Sequence, residues 1–187
     1  MNEVELIRAQ LSLERQHAFD VARALSAAGS RNGASPDSWQ AFRQGGVDYL
    51  VWILSRFEER EQTFHDLLRG RPGDDNSERR AVERALALPG TSREALTKLE
   101  AALGSGSTTE VERIGRWTEF EQFLSGAWSA RRDELDKLFA QQARVTDWRA
   151  VSGIDADSIF DERSRYASVR ATLPAGIELP ATTSRAQ

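Results

Sequence analysis

Glu14 and His17 stand three residues apart in "LSLERQHAFDVARAL" (residues 11–25). On a helix that spacing projects both side chains to one side. Glu61 and His65 repeat the pairing at a spacing of four in "RFEEREQTFHDLL" (56–68). A carboxylate and an imidazole on one helix face are the ligands with which helical bundles hold two iron or manganese ions, Glu-x-x-His being one such spacing. Glu121 and Glu162 add carboxylates further along the chain, and the protein has no other histidine. The chemistry implied is oxygen or redox chemistry at a bound metal with open coordination positions.

Such ligands need helices that turn them inward. Start and stop signals for helices recur, and strand signals are nearly absent. Ser35 precedes Pro36 as an N-cap before a first-turn proline. Capping-box spacings occur at Asp75–Glu78, Thr91–Glu94 and Thr109–Glu112, and Gly29, Gly70 and Gly104 stand where helices should stop. The pattern predicts long helices over 3–28, 36–69, 109–144 and 146–172, with short ones near 77–88 and 92–103. Gly45-Gly46 and Ser125-Gly126 are expected breaks or kinks. The expected fold is all-α: a four-helix bundle with a two-short-helix crossover between the second and third long helices. Residues 1–173 form a single helical domain in this reading, and 174–187 an extended or mobile tail.

Core-facing positions in a bundle advance in steps of three and four. The first helix then presents Val4, Ile7, Leu11, Glu14, Ala18, Val21, Leu25 and Ala28. The second presents Leu50, Ile53, Phe57, then Arg60 or Glu61, then Phe64 and Leu68. The third gives Ile114, Trp117, Glu121, Leu124 and Trp128. The last gives Trp148, Val151, Asp155, Ile159, Glu162, Tyr166 and Val169. One glutamate thus interrupts each apolar stripe. Glu14, His17, Glu61, His65 and Glu121 fall at similar depth. Glu162 lies nearer the level of Arg131, further along the helix that carries Glu121.

A buried carboxylate must be paired, protonated or bound to a cation. One reading puts a metal, iron or manganese, at the centre of the six residues, with carboxylates converging to roughly 4–6 Å. A second gives each glutamate an arginine, for which Arg60, Arg131 and Arg132 are placed, and makes the chain a non-enzymatic helical interaction protein. A third uses Trp39, Trp52, Trp117, Trp128 and Trp148 to line an interior that binds a small molecule. No residue is assigned a catalytic role, and "GSGS" at 104–107 lacks the flanking strand and lysine of a phosphate loop.

At "LSLERQHAFDVARAL" and "YLVWILSRFEEREQTFHDLL" (49–68) the chain resembles the first two helices of hemerythrin-like cation-binding bundles, over about a third of its length. That resemblance implies a non-haem di-iron centre with His17, Glu61 and His65 as the matching ligands. The family uses more histidines than the two present here, so the inventory is closer to the carboxylate-rich sites of the ferritin-like group.

Composition narrows the remaining classes. The chain has 187 residues, 40% hydrophobic and 29% charged, and carries a net charge of −4. Those values suit a globular protein and give no basic footprint for nucleic acid or an anionic membrane. Without cysteine there is no disulfide, thiolate metal site or cysteine nucleophile. "MNEVELIRAQ" lacks a basic and apolar leader, and "YLVWIL" is too short to cross a bilayer. The expected location is a bacterial cytoplasm, with the oligomeric state left open.

Overall fold

The structure is a computed structural model that describes residues 2–29, 36–69, 91–103 and 109–179, with Arg80 and Glu83 alone between. All regular structure among the described residues is helical. The helices are α1 (Glu3–Gly29), α2 (Pro36–Arg69), α3 (Thr91–Leu103), α4 (Glu110–Phe123), α5 (Ser129–Gln142), α6 (Val145–Ser152) and α7 (Ala156–Ala171), and a π-helical turn, Leu124–Trp128, joins α4 to α5. The expected short helix near 77–88 and the caps at Ser35, Asp75, Gly70 and Gly104 lie outside the described residues.

Local chemistry accounts for the boundaries. Thr109 opens α4 through a full capping box, its hydroxyl accepting from the Glu112 amide and the Glu112 carboxylate accepting from the Thr109 amide. The expected helix over 146–172 is two helices. Ser152 is followed by Gly153 in the left-handed conformation (φ 56°), which closes α6. Asp155 then caps α7, accepting from the Ser158 amide at 2.7 Å. Asp155 is therefore an exposed cap and not a member of a buried stripe.

The two glycine-containing breaks resolve differently. α2 runs unbroken through Gly45-Gly46, where a Cβ on Gly46 would come within 3.2 Å of Leu25 on α1. The glycine serves close helix approach there. At Ser125-Gly126 the chain stays helical and widens into the π turn, with Leu124 and Trp128 buried on either side.

α1 and α2 run antiparallel, Leu25 meeting Gly46 at one end and Glu14 meeting Arg60 further along. Two apolar clusters fill the interior. The larger unites Val21 and Leu25 of α1, Leu50, Ile53 and Phe57 of α2, Leu99 of α3, Phe120 of α4, Trp128 and Val169. The smaller holds Ile7, Phe64, Leu135, Phe139, Trp148 and Val151. α3 is thus part of the core wall rather than a bare connection, with Ala95, Leu99 and Ala102 buried. The segment after Pro174, expected to be extended or mobile, is docked as far as it is described, with Ile177 and Leu179 packed on the larger cluster. No described helix is long and apolar enough to cross a membrane.

Candidate functional site

Between the two apolar clusters lies a layer of buried charge. On α1 it falls between Ile7 and Ala18, on α2 between Phe57 and Phe64, and along the π turn and α5 between Trp128 and Leu135. Glu14, Arg60, Glu61 and Arg132 occupy these positions, all with under a tenth of their surface exposed. Arg60 donates from one Nη to Glu14 Oε2 at 2.5 Å and from Nε to the Ser152 carbonyl oxygen at 2.5 Å. Glu61 accepts from the amide and hydroxyl of Ser92 at 3.3 and 3.1 Å, and stands 3.7 Å from Arg132. The guanidinium groups of Arg60 and Arg132 both lie over the Phe57 ring, 5.7 and 5.9 Å from its centroid.

A second polar group forms where α1, α2 and α7 meet. His17 Nδ1 lies 2.7 Å from Glu162 Oε1, which also accepts from the Tyr49 hydroxyl at 2.8 Å. The His17 ring stacks on Tyr166 with centroids 3.7 Å apart and planes 7° from parallel. Burial, reinforced by Glu162, pushes the Tyr49 phenol well above its ordinary range, which keeps it a donor. Burial also raises the Tyr166 phenol and the neighbouring Asp20 carboxyl, the latter held by Gln16 at 2.9 Å.

The six residues expected to share one centre are therefore dispersed. Glu14 and Glu61 point inward as anticipated, each facing a different arginine. His17 and Glu162 come together, although Glu162 was expected near Arg131; Arg131 instead pairs with Glu94 at 2.5 Å. Glu121 lies on the helix flank, 3.8 Å from the exposed Arg23, because Phe120 takes the core position beside Trp117 and Leu124. His65 is buried near the end of α2. Among the described residues no group of three or more His, Asp or Glu side chains could hold a metal ion. The carboxylates do not converge, and the expected metal centre has no single place in this arrangement.

Compared with family models, curated proteins and solved structures, the chain matches none.

The charged layer borders a cavity inside the smaller apolar cluster. Leu11, Phe64, Leu135, Phe139, Trp148 and Val151 line it, and its volume of about 30 Å³ has room for about one or two water molecules. Its polar wall is Arg60, Arg132, Glu61, Asp136 and Ser152. A larger, more open hollow of about 250 Å³ is lined by Arg56, Glu59, Arg60 and Gly153. Phe139 forms edge-on contacts with Phe64 and Trp148, centroids 4.7 and 4.5 Å apart, so three rings shape the apolar wall. Trp148 is the tryptophan at this cavity; Trp117 and Trp128 are buried in the larger cluster. The Ser152 hydroxyl accepts from the Ile154 amide at 3.2 Å and is thereby engaged in closing α6.

Arg60, Arg131 and Arg132 were the arginines visible in the sequence as partners for inward glutamates, and two of them serve. Tyr49, Tyr166 and Ser92 were missed. Each lies on an apolar face where a hydroxyl adds little to the periodic pattern. Only tertiary packing reveals that they face carboxylate or imidazole.

Proposed function

We propose that this chain is a non-enzymatic helical-bundle interaction protein whose inward glutamates are structural ion pairs. In this arrangement α1, α2, the α4–α5 helix and α7 are the long members of a four-helix bundle, and α3 and α6 close the sides. The observation that carries the reading is the pairing of Arg60 with Glu14 at 2.5 Å, both buried, beside Glu61 at 3.7 Å from Arg132. The cavity beside Trp148 has room of only about 30 Å³, far below the roughly 300–1,000 Å³ of small-molecule sites. The inward glutamates serve as counter-charges to Arg60 and Arg132, and the pairs set which helix faces meet.

Metal linkage tests this reading, because any ion bound by the folded state raises its melting temperature with concentration. The reading predicts that iron(II) and manganese(II) leave the melting temperature unchanged. It also predicts that Glu14→Leu with Arg60→Met together keep the helical circular dichroism of the parent. A melting temperature that climbs with metal concentration and loses that climb in Glu14→Ala contradicts the reading.

A further inference from the structure

α5 is bounded by two departures from α-helical backbone. The π turn Leu124–Trp128 precedes it, and Ala143 and Arg144, both extended, follow it before α6 begins. The outer side of the π turn is open: a Cβ on Gly126 would meet nothing within 4 Å. The Ser125 hydroxyl donates back to the Glu121 carbonyl oxygen at 3.0 Å, a bond of the kind that accompanies bent helices. The helices on either side of the turn are anchored unequally. Trp117 and Phe120 of α4 are buried in the larger core. Among its described side chains, α5 buries only Arg132, Leu135 and Phe139. Ion pairs tie it to its neighbours: Arg131 to Glu94 of α3 at 2.5 Å, Asp133 and Asp136 to Arg15 of α1 at 3.2 Å, and Arg132 to Glu61 of α2 at 3.7 Å.

The pairs of Arg131 and Arg15 are partly exposed, so they hold weakly and salt screens them. The seam beneath α5 is also imperfectly packed. The cavity of about 30 Å³ lies along it, between Leu135 and Phe139 of α5 and Phe64 and Trp148 of the body. Arg132 Nε is closed to solvent there and has no hydrogen-bond partner among the described residues. Lifting α5 brings that guanidinium to water, which offsets part of what is lost when Phe139 leaves Phe64 and Trp148. We infer that α5 is a lid over the smaller core, hinged at the π turn and at Ala143–Arg144, and that ionic strength sets how often it lifts. Hinges are typically a few residues at element ends, and the units that open below global unfolding are those with few apolar anchors. The ion pairs of α5 act as the latch, while α1, α2 and α4 keep the larger core closed.

The test is hydrogen exchange by mass spectrometry on the full chain at about 0.01 M and about 1 M sodium chloride, where the screening length falls from about 30 Å to about 3 Å. At low salt the amides of 130–142 exchange about tenfold or more faster than those of 112–123. High salt widens that gap severalfold and leaves 112–123 unchanged. A second readout uses the absence of cysteine from the chain. Leu135→Cys, on the inner face of the lid, and Leu124→Cys, in the larger core, each place a single buried thiol. The thiol at 135 reacts with a thiol reagent faster than the one at 124, and salt accelerates only the first. The exchange comparison in the unaltered protein stands even if a variant folds poorly. Equal protection on the two sides of the π turn overturns the inference, as does a gap that salt leaves unchanged. Neither result bears on the Arg60–Glu14 pair, which the metal titration tests separately.

Discussion

Arg60 on α2 donates to Glu14 on α1 at 2.5 Å, and neither side chain has more than 6% of its surface exposed. The pair ties the two longest helices at the level where the apolar core divides. Removing one partner strands the other charge, at a cost of about 3–5 kcal/mol for a buried pair. Glu14→Gln and Arg60→Met should each lower unfolding free energy by an amount near that range in urea titrations. Glu14→Leu with Arg60→Met should cost much less than the sum of its singles. Additive losses would show that the two side chains do not depend on one another.

The tyrosines around Glu162 make a contrasting pair. Tyr49 donates to the carboxylate, whereas the Tyr166 hydroxyl is buried without a hydrogen-bond partner among the described residues and its ring stacks on His17. Tyr49→Phe should destabilise by about 1–3 kcal/mol, the cost of an acceptor left unsatisfied. Tyr166→Phe keeps the stack and removes an unsatisfied hydroxyl, so it should be neutral or mildly stabilising. Thermal unfolding of the two variants side by side decides this.

Glycine replacements should differ in sign. Alanine at Gly126 meets no atom within 4 Å and gains about 0.5–1 kcal/mol from reduced backbone entropy. Alanine at Gly46 would press on Leu25, itself fully buried, and overpacking of this kind costs about 1–3 kcal/mol. Chemical denaturation should show Gly126→Ala above the parent and Gly46→Ala below it.

Asp20 supplies the pH dependence. Burial raises its carboxyl above the ordinary value of 3.8, with the Gln16 hydrogen bond, Arg23 and His17 opposing the rise. The folded state therefore holds the proton to higher pH than the unfolded chain. The stability tied to that proton is full below 3.8 and is lost as pH climbs through the raised folded value. Asp20→Asn, which can still accept from Gln16, should flatten the stability profile in that acid window and raise stability at neutral pH. A profile as steep as the parent's would contradict this.

Much of this architecture was legible in the chain. The three-and-four spacing on α1 and α2 placed Ile7, Glu14, Val21, Leu25, Ile53 and Phe57 inward, and all are buried. The Thr109–Glu112 box marked a helix start that exists. The errors have two causes: a choice between neighbouring positions on one helix, and a register extrapolated through an irregular point. From Trp117 both Phe120 and Glu121 satisfy helical spacing, and the larger apolar side chain takes the core while the glutamate stays near water. Glu162 was placed by assuming an unbroken helix through Gly153. The left-handed residue there redirects α7, and the carboxylate arrives beside His17 instead. Whether an inward glutamate meets a metal or a guanidinium depends on partners dozens of residues away, and helical periodicity carries no information about which helix faces which.

The most direct test of the ion-paired layer is a crystal structure of the protein grown with excess manganese(II), read with anomalous scattering. The predicted result is Arg60 bonded to Glu14 and Arg132 beside Glu61, with no ion in the layer. An ion coordinated by Glu14 or Glu61, with the arginines displaced, contradicts it.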